Sequence, residues 1–251
     1  MSESLAKPIQ NRVLLRSRDR VAGTPSAAAF QLGRTYQNAT EVELLHFSMS
    51  NTIYNVRSYS FIVRIGATLY TVTLPDGNYV APAFFTQLQT AISAATGVPF
   101  TVTLDPVTLR LTIASAGVFD LLLSTAAPHV LVTIGFEEQD YVGANSYTAP
   151  RVYSLSQPDH LIVRLPNLAS SRLFSTQGSS GAYVVPISVN FGSQIVFDSN
   201  SNFPQVLQLV NSSGIGNFVV EVIDDYNRGL PNIADDWSMV LRILEDGTRA
   251  R

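Results

Sequence analysis

Hydrophobic and polar residues alternate along much of the chain, which is the pattern of strands buried on one face. The clearest case runs from Leu69 to Leu74 and stops at the sequence PDGN, whose residues all favour turns. From Val80 the spacing becomes helical, with apolar residues on one face and Gly97 where a helix C-terminal glycine belongs. Two short β runs follow. Residues 69–114 are therefore predicted to form a strand, a helix and a hairpin, a packing unit without a polar cluster.

Further β runs flank this unit. Residues 40–56 and 59–65 precede it, and six runs follow residue 160 at intervals of about 8–14 residues, which is typical of an antiparallel sandwich or barrel. These runs read HLIVRL, GAYVVPISVNF, QIVFDS, QVLQLVN, FVVEVID and WSMVLRIL. The last run places Trp237 and Met239 on one face and has apolar residues on both faces near its end. It is expected to be covered on both sides, on one of them by a neighbouring molecule.

Residues 115–159 are less regular. The sequence PHVLVTIGF is either a short helix ended by Gly135 or a buried strand, and the helix is favoured. Glu137, Glu138 and Asp140 then form a solvated acidic turn, because they lack the spacing of a calcium loop. The sequences YVGANSYTAP and LASSRLFSTQGSSGAY are both expected to be loops, the first of them exposed. Tyrosines in loops of this kind could bind a glycan: Tyr141, Tyr147 and Tyr153.

Charged residues are scarce, at 14% of the chain against roughly 25% in ordinary soluble proteins. Such a shortage indicates surface hidden against other subunits, although some extracellular adhesins share it. The net charge of −3 argues against a nucleic-acid-binding protein as a whole. The chain has no cysteine, hence no disulfide or thiolate metal site. It shows neither an apolar run of membrane-spanning length nor the apolar core of a signal peptide, so a protein made and used without classical export is the simpler interpretation.

Residues 1–35 form the basic part of the chain, with six basic residues against two acidic ones. They contain few large apolar residues, and the sequence GTPS interrupts any regular element. This segment is either a loosely ordered terminus or an arm that lies over a neighbouring subunit or faces nucleic acid. Four arginines are the candidate contacts of such an arm: Arg12, Arg16, Arg18 and Arg20.

No pattern of residues points directly to a reaction. The three histidines lie far apart, without metal-ligand spacing: His46, His129 and His160. Nucleophile-elbow, zinc-protease and phosphate-binding motifs are not found. Two pairs of carboxylates could bind a divalent ion or act as acid and base, but they also fit a turn-rich connection between strands: Asp224, Asp225, Asp235 and Asp236. A structural or solvated role is favoured for them, with no catalytic, metal or cofactor site.

The order of these segments resembles the penton, or minor capsid, proteins of small icosahedral double-stranded DNA viruses with jelly-roll capsids. Virophages, Polinton-like viruses and some giant-virus relatives are the nearest group. The resemblance runs from about Ser17 to Glu245, and its most specific part is the strand, LPDGNY turn, helix and hairpin. It implies a mainly β, antiparallel jelly-roll sandwich over residues 36–251, preceded by the basic arm 1–35 and elaborated by the inserted unit 69–114.

The resemblance also implies a function. The chain would be a structural capsid protein, not an enzyme, that forms the pentameric vertex of the shell by binding copies of itself and the major capsid protein. It would be made in the host cytoplasm and incorporated in the virion, need no cofactor, and contact nucleic acid at most weakly through its arm. A receptor- or glycan-binding fibre or adhesin module is the main alternative, and an enzyme built on a β-sandwich is a more distant one.

Overall fold

Strands dominate the computed structural model, which describes residues 8–156, 158–168, 182–209, 214–230 and 236–246. The strands of these residues are β1 Ile9–Arg16, β2 Ala22–Thr24, β3 Ala27–Tyr36, β4 Ala39–Ser50, β5 Tyr59–Ile65, β6 Thr68–Leu74, β7 Phe100–Leu104, β8 Arg110–Leu122, β9 Asp140–Val152, β10 His160–Arg164, β11 Ala182–Pro186, β12 Gln194–Asp198, β13 Gln205–Gln208, β14 Ile215–Asp224 and β15 Ser238–Glu245. The helices are α1 Ala81–Thr96 and α2 Pro128–Ile134, with a 3-10 turn at Ser17–Asp19. The strand pairs within the described residues are all antiparallel, so the predicted mainly β, antiparallel class is confirmed.

The chain divides into two compact units, residues 1–53 with 158–251 and residues 54–157. In the first unit, the first sheet has the order β1-β15-β4-β12, with β13 also paired to β4, and the second sheet has the order β11-β10-β14-β3-β2. Eight of these strands pair in a nested order along the chain. The first pairs with the last (β1 with β15), the second with the next to last (β3 with β14), then β4 with β12, and finally β10 with β11. A β ribbon wound in this way is a jelly roll. The second unit is inserted between β4 and β10.

The inner faces of the two sheets share one hydrophobic core. Trp237 lies within it with no exposed surface. Its ring meets Phe30 edge-on at 5.8 Å and stacks on Phe47 at 6.2 Å between centroids. The indole N–H donates to the Pro25 carbonyl at 2.6 Å, which satisfies the polar atom of this buried ring. The roll is thus filled by side chains.

The basic segment differs from the expected arm, because residues 9–16 form β1, an edge strand of the first sheet. This strand pairs with β15 along its whole length. Val13 and Leu15 point into the core, each less than a tenth exposed, while Arg12, Leu14 and Arg16 alternate with them on the outer face. Two buried apolar residues between arginines make a weak hydrophobic pattern, so the sequence did not reveal the strand. The jelly roll therefore begins within residues 1–35 and not at residue 36.

The second unit has the sheet order β6-β5-β8-β7, with β9 also paired to β8. Helix α1 packs on this sheet through Phe84, Leu88 and Ile92, which are fully buried. It ends at Gly97, whose φ of +70° is the left-handed conformation that favours glycine. The predicted strand, helix and hairpin of residues 69–114 are confirmed as elements, but the compact unit is larger and spans residues 54–157.

The less regular stretch contains both a confirmed and a wrong prediction. PHVLVTIGF forms the favoured helix α2, which ends at Gly135 with φ +74°. A Cβ at this glycine would collide with the Arg151 carbonyl oxygen. The expected loop YVGANSYTAP is instead part of strand β9, paired with β8. In β9 Ala149 alone is fully buried, so the strand lacks the apolar face from which alternation is recognised. The other predicted loop lies largely in residues 169–181, outside the described residues.

Candidate assembly surfaces

The outer face of the first sheet has an uncharged centre. Leu14 of β1 lies opposite Val240 of β15, which lies opposite His46 of β4. In the next row the hydroxyls of Ser48 and Ser238 are hydrogen-bonded at 2.9 Å. Leu14 is 52% exposed and Val196, at the far side of the sheet, is 50% exposed. The expected two-sided apolar character of the last strand is present here, because Val240 is half-buried although it points away from the core.

Positive charge accumulates on the β1 side of this outer face. Arg12 lies directly opposite Arg242, an arrangement of like charges that destabilises a sheet unless it is compensated. Glu43 of β4 forms an ion pair with Arg242 and compensates that residue. Arg12 is exposed and Arg16 half-buried, and neither side chain has a hydrogen bond or ion pair with any described residue. The two arginines flank the uncharged centre, and Asp19 lines the same surface cavity as both of them.

The other two candidate arginines have contacts within the chain. Arg20 donates from Nε to the Gly23 carbonyl at 3.1 Å and from Nη1 to the Ser17 carbonyl at 2.9 Å. Arg18 lies 3.9 Å from an Asp236 carboxylate oxygen, and both side chains are about half exposed. An exposed pair of this length contributes little stability, but it does orient the side chain. The structure therefore separates Arg12 and Arg16, on a strand face, from Arg18 and Arg20, at the turn that follows.

The outer face of the second sheet also has an apolar centre. Val184 of β11 lies opposite Ile162 of β10, which lies opposite Ile223 of β14. Val219 and Ala29 continue this surface towards β3. Val184 is 40% exposed, and Ile162 and Val219 are half-buried although they point away from the core. The two sheets pack face to face, so these two apolar centres lie on opposite sides of the sandwich.

One sheet edge is closed by a side-chain amide. Gln205 of β13 donates to the Val184 carbonyl and accepts from the Val184 N–H, both at 2.6 Å. The amide occupies the backbone groups that a neighbouring strand would otherwise pair with at this position of β11. Because this edge is blocked at its centre, the broad faces are the larger surfaces that the sandwich offers to another molecule.

The acidic turn after β14 is built around Asp224, which has no exposed surface. One carboxylate oxygen accepts from the N–H groups of Tyr226 and Arg228 at 3.1 and 2.8 Å, and the other accepts from Arg228 Nε at 2.8 Å. The Arg228 guanidinium also lies over the Tyr226 ring at 5.1 Å. This carboxylate holds the turn together, which is a structural role of the favoured kind.

Asp225 has different surroundings. It accepts the Asp159 N–H at 3.3 Å through one oxygen, and its other oxygen is buried with no hydrogen bond from any described residue. Burial raises the pKa of the Asp225 carboxyl, and the charges of Asp224 and Asp159 add to this effect, while the Asp159 N–H and His160 oppose it. Asp159 is exposed. Two arginines lie at the same turn, but Arg228 is paired with Asp224 and Arg164 is hydrogen-bonded to Asn227. Asp159 and Asp225 therefore have no ion pair with a described residue.

Three of the four predicted acidic residues are described, and these three do not form one site. Asp236 accepts from the Ser17 hydroxyl at 3.0 Å, at the start of β15 in the first sheet, whereas Asp224 and Asp225 end a strand of the second. Asp235 lies outside the described residues. Among the residues described, no group of three or more acidic or histidine side chains could hold a metal ion.

The three tyrosines proposed for glycan contact pack against aromatic neighbours in the second unit. Tyr147 meets Phe119 edge-on at 5.1 Å and donates its hydroxyl to the Phe119 carbonyl at 2.9 Å. Tyr141 lies 5.0 Å from the Phe136 ring. Tyr153 lies 5.1 Å from another phenylalanine ring of the same unit. The rings of Tyr141 and Tyr147 pack against the core of the second unit, while Tyr153 lines a surface cleft of that unit.

Comparison with known proteins gives a similarity in structure and none in sequence. No protein-family model matches the chain, and no curated protein sequence matches it. A crystal structure of the mavirus penton protein is similar, with a TM-score of 0.49 and 10% sequence identity over 94% of this chain and 99% of that one. Within the described residues, no helix is both long and apolar enough to cross a membrane.

Proposed function

We propose that this protein is a structural capsid subunit whose copies associate side by side into the pentameric vertex of an icosahedral shell. The observation that carries the proposal is the pair of outer sheet faces on opposite sides of one jelly roll, each with uncharged, largely apolar residues at its centre. Viral capsid proteins are among the main users of this fold, together with lectins and cupins. Because a fold does not by itself establish a function, the surfaces decide between these classes.

Two different faces on one subunit suit a ring. In a closed ring each copy uses one patch towards the preceding neighbour and a different patch towards the next. Leu14, Val240 and Val196 mark one patch of this chain, and Ile162 and Val184 mark the other. A face of four strands, spaced about 4.8 Å apart and each about eight residues long, has an area of roughly 500 Å². That is about two thirds of the ~800 Å² per partner in a standard interface, so single contacts should be weak and a ring that uses both faces should be favoured.

The interior of the roll supports a structural role over an enzymatic one. The space between the two sheets holds Trp237, Phe30, Phe47 and Phe218 in a packed core. The buried carboxylate Asp224 accepts hydrogen bonds from its own turn. These residues stabilise the folded jelly roll, as expected of a structural subunit.

The remaining surfaces would complete the assembly. In an icosahedral shell a vertex ring must also contact the major capsid protein around it, which places the protein in the virion. The second unit is inserted in the sequence between β4 and β10, has its own surface, and leaves the strand pairing of the roll uninterrupted. We propose the major capsid protein as the second partner, with self-association as the primary interaction.

The proposal is tested by the mass and shape of the purified full-length protein. Sedimentation velocity across a range of concentrations, followed by negative-stain microscopy, should reveal fivefold rings at the highest concentrations. A protein that stays monomeric throughout would contradict the proposal. A stable trimer would instead support the fibre or adhesin alternative.

A specific feature of the second unit favours that alternative as the second candidate. An apolar cleft of about 420 Å³ is lined by Val80, Leu109 and Val152, which are 69%, 43% and 53% exposed. Exposed apolar clusters of this kind often mark contact sites. A glycan array or binding to host-cell surfaces that is lost in a Val80→Ser, Val152→Ser variant would support receptor binding.

A further inference from the structure

We propose that the β1 side of the first sheet's outer face docks onto the acidic end of the second sheet of the next copy, with Arg12 and Arg16 opposite Asp159 and Asp225. This contact rests on the proposed self-association and specifies its orientation. The occupant of each face is thus a second copy of this chain, and the interface is heterologous.

The charges proposed to meet, those of Arg12 and Arg16 with those of Asp159 and Asp225, are complementary, and none of the four forms an ion pair with a described residue. Arg242 is compensated by Glu43, which leaves Arg12 as the excess positive charge of its row. Arg16 adds a second, beyond the apolar Leu14. Neither arginine has an ion pair with a described residue. Complementary charges of this kind set the orientation of an interface and exclude wrong pairings.

The acidic end of the second sheet has carboxylates that could accept hydrogen bonds from positively charged groups. Asp225 has an oxygen without a hydrogen bond among the described residues, and Asp159 is exposed beside it. The neighbouring Arg228 is already bound to Asp224. Glu221 lies further along the same outer face, but Arg164 of β10 lies directly opposite it, so this position adds no net charge. Guanidinium groups from another copy would supply the missing donors, since arginine pairs with carboxylates through two N–H groups.

The apolar centres fit the same arrangement. Leu14 lies between the two arginines on β1, and Ile162 lies on the strand that begins at the acidic end. Docking would bury both apolar rows while the charged pairs lie at the rim. A rim pair contributes mainly orientation and salt dependence, and the apolar contact contributes the affinity.

The test is a charge exchange on the full-length protein, read by sedimentation velocity. Arg12→Glu with Arg16→Glu should weaken self-association at least about tenfold, and Asp159→Lys with Asp225→Lys should do the same. A chain with all four substitutions regains complementary faces, so its association should return to within about threefold of the original. The matched control, Arg18→Glu with Arg20→Glu, changes the same charge in the same segment and should leave association unchanged.

Each outcome supports or overturns the contact. If the original protein associates but the four-residue exchange does not restore it, this orientation is wrong while the proposed function stands. If the original protein never associates, both fail. If Arg12 and Arg16 only protect an exposed strand edge, Arg12→Gln with Arg16→Gln will strengthen association instead. If the Glu substitutions leave association intact and weaken binding to a labelled DNA duplex, the arginines face nucleic acid. Trp237 fluorescence shows that each variant is folded.

Discussion

Replacing Asp224 by alanine should destabilise the jelly-roll unit strongly. The substitution removes an acceptor from two backbone N–H groups, those of Tyr226 and Arg228, and from the Arg228 guanidinium. Removing one partner of a buried ion pair costs about 3–5 kcal/mol, and each buried donor left without an acceptor costs about 1–3 kcal/mol. Because Arg228 is 18% exposed and can regain some hydration, we expect the lower end, about 3 kcal/mol.

The chain provides a specific probe and a matched control for this measurement. Trp237 is its single tryptophan and lies in the jelly-roll core, so urea unfolding followed by tryptophan fluorescence reports that unit. Asp225→Asn is the control at the adjacent position. Its carboxyl is disfavoured by burial, and asparagine can still accept the Asp159 N–H, so stability should stay the same or rise by a few tenths of a kcal/mol.

The pH dependence of the control follows from the raised pKa of Asp225. The groups that act on it are Asp224, Asp159 and His160. The folded protein binds the proton more tightly than the unfolded chain, so this group lowers stability above its folded-state pKa. That loss is regained as the pH falls from there to the ordinary value of 3.8. The Asn variant should lack this increment.

An Asp224→Ala protein as stable as the original would refute the structural role assigned to the turn.

Three further substitutions test the local geometry. Gly135→Ala should destabilise the inserted unit by about 2 kcal/mol more than Gly97→Ala. Both glycines have a positive φ, but of the two only Gly135 would place a Cβ against a backbone carbonyl. Thermal unfolding followed by circular dichroism of the helices measures the stability of this unit, and equal losses would contradict the collision. Leu109→Asn should stabilise the same unit by up to about 1 kcal/mol, since Leu109 has a φ of +53° that asparagine tolerates better; an unchanged or lower thermal midpoint would contradict it. Tyr183→Phe should cost the jelly roll about 1 kcal/mol in urea unfolding, because the hydroxyl donates to the buried Val42 carbonyl at 2.9 Å; no loss would mean that water replaces it.

The sequence predicted the secondary-structure elements better than it predicted which strands pair with one another. Helix α1 was recognised because Phe84, Leu88 and Ile92 repeat at helical spacing and all three are buried. Strand β1 was not recognised, because two buried apolar residues between arginines make too short a hydrophobic pattern. Strand β9 was missed because its residues are mostly exposed on both faces.

The candidate surfaces required the strand register. Leu14, His46 and Val240 are distant in sequence, and their alignment in one row follows from pairings that no local pattern encodes. The same holds for the separation of Asp224 from Asp236, which lie in different sheets although they are close in the chain. From composition, the shortage of charge predicts surface hidden against other subunits, and this stays a prediction for the association experiments.

The central claim, that each copy uses two different faces, is tested most directly by blocking one face at a time. Leu14→Asp disables the first face and Val184→Asp disables the second, and native mass spectrometry then measures each variant alone and in a one-to-one mixture. We expect each variant alone to be monomeric and the mixture to form a heterodimer that grows no further, since one intact face remains on each chain. Rings formed by either variant alone, or a mixture that stays monomeric, would contradict the account.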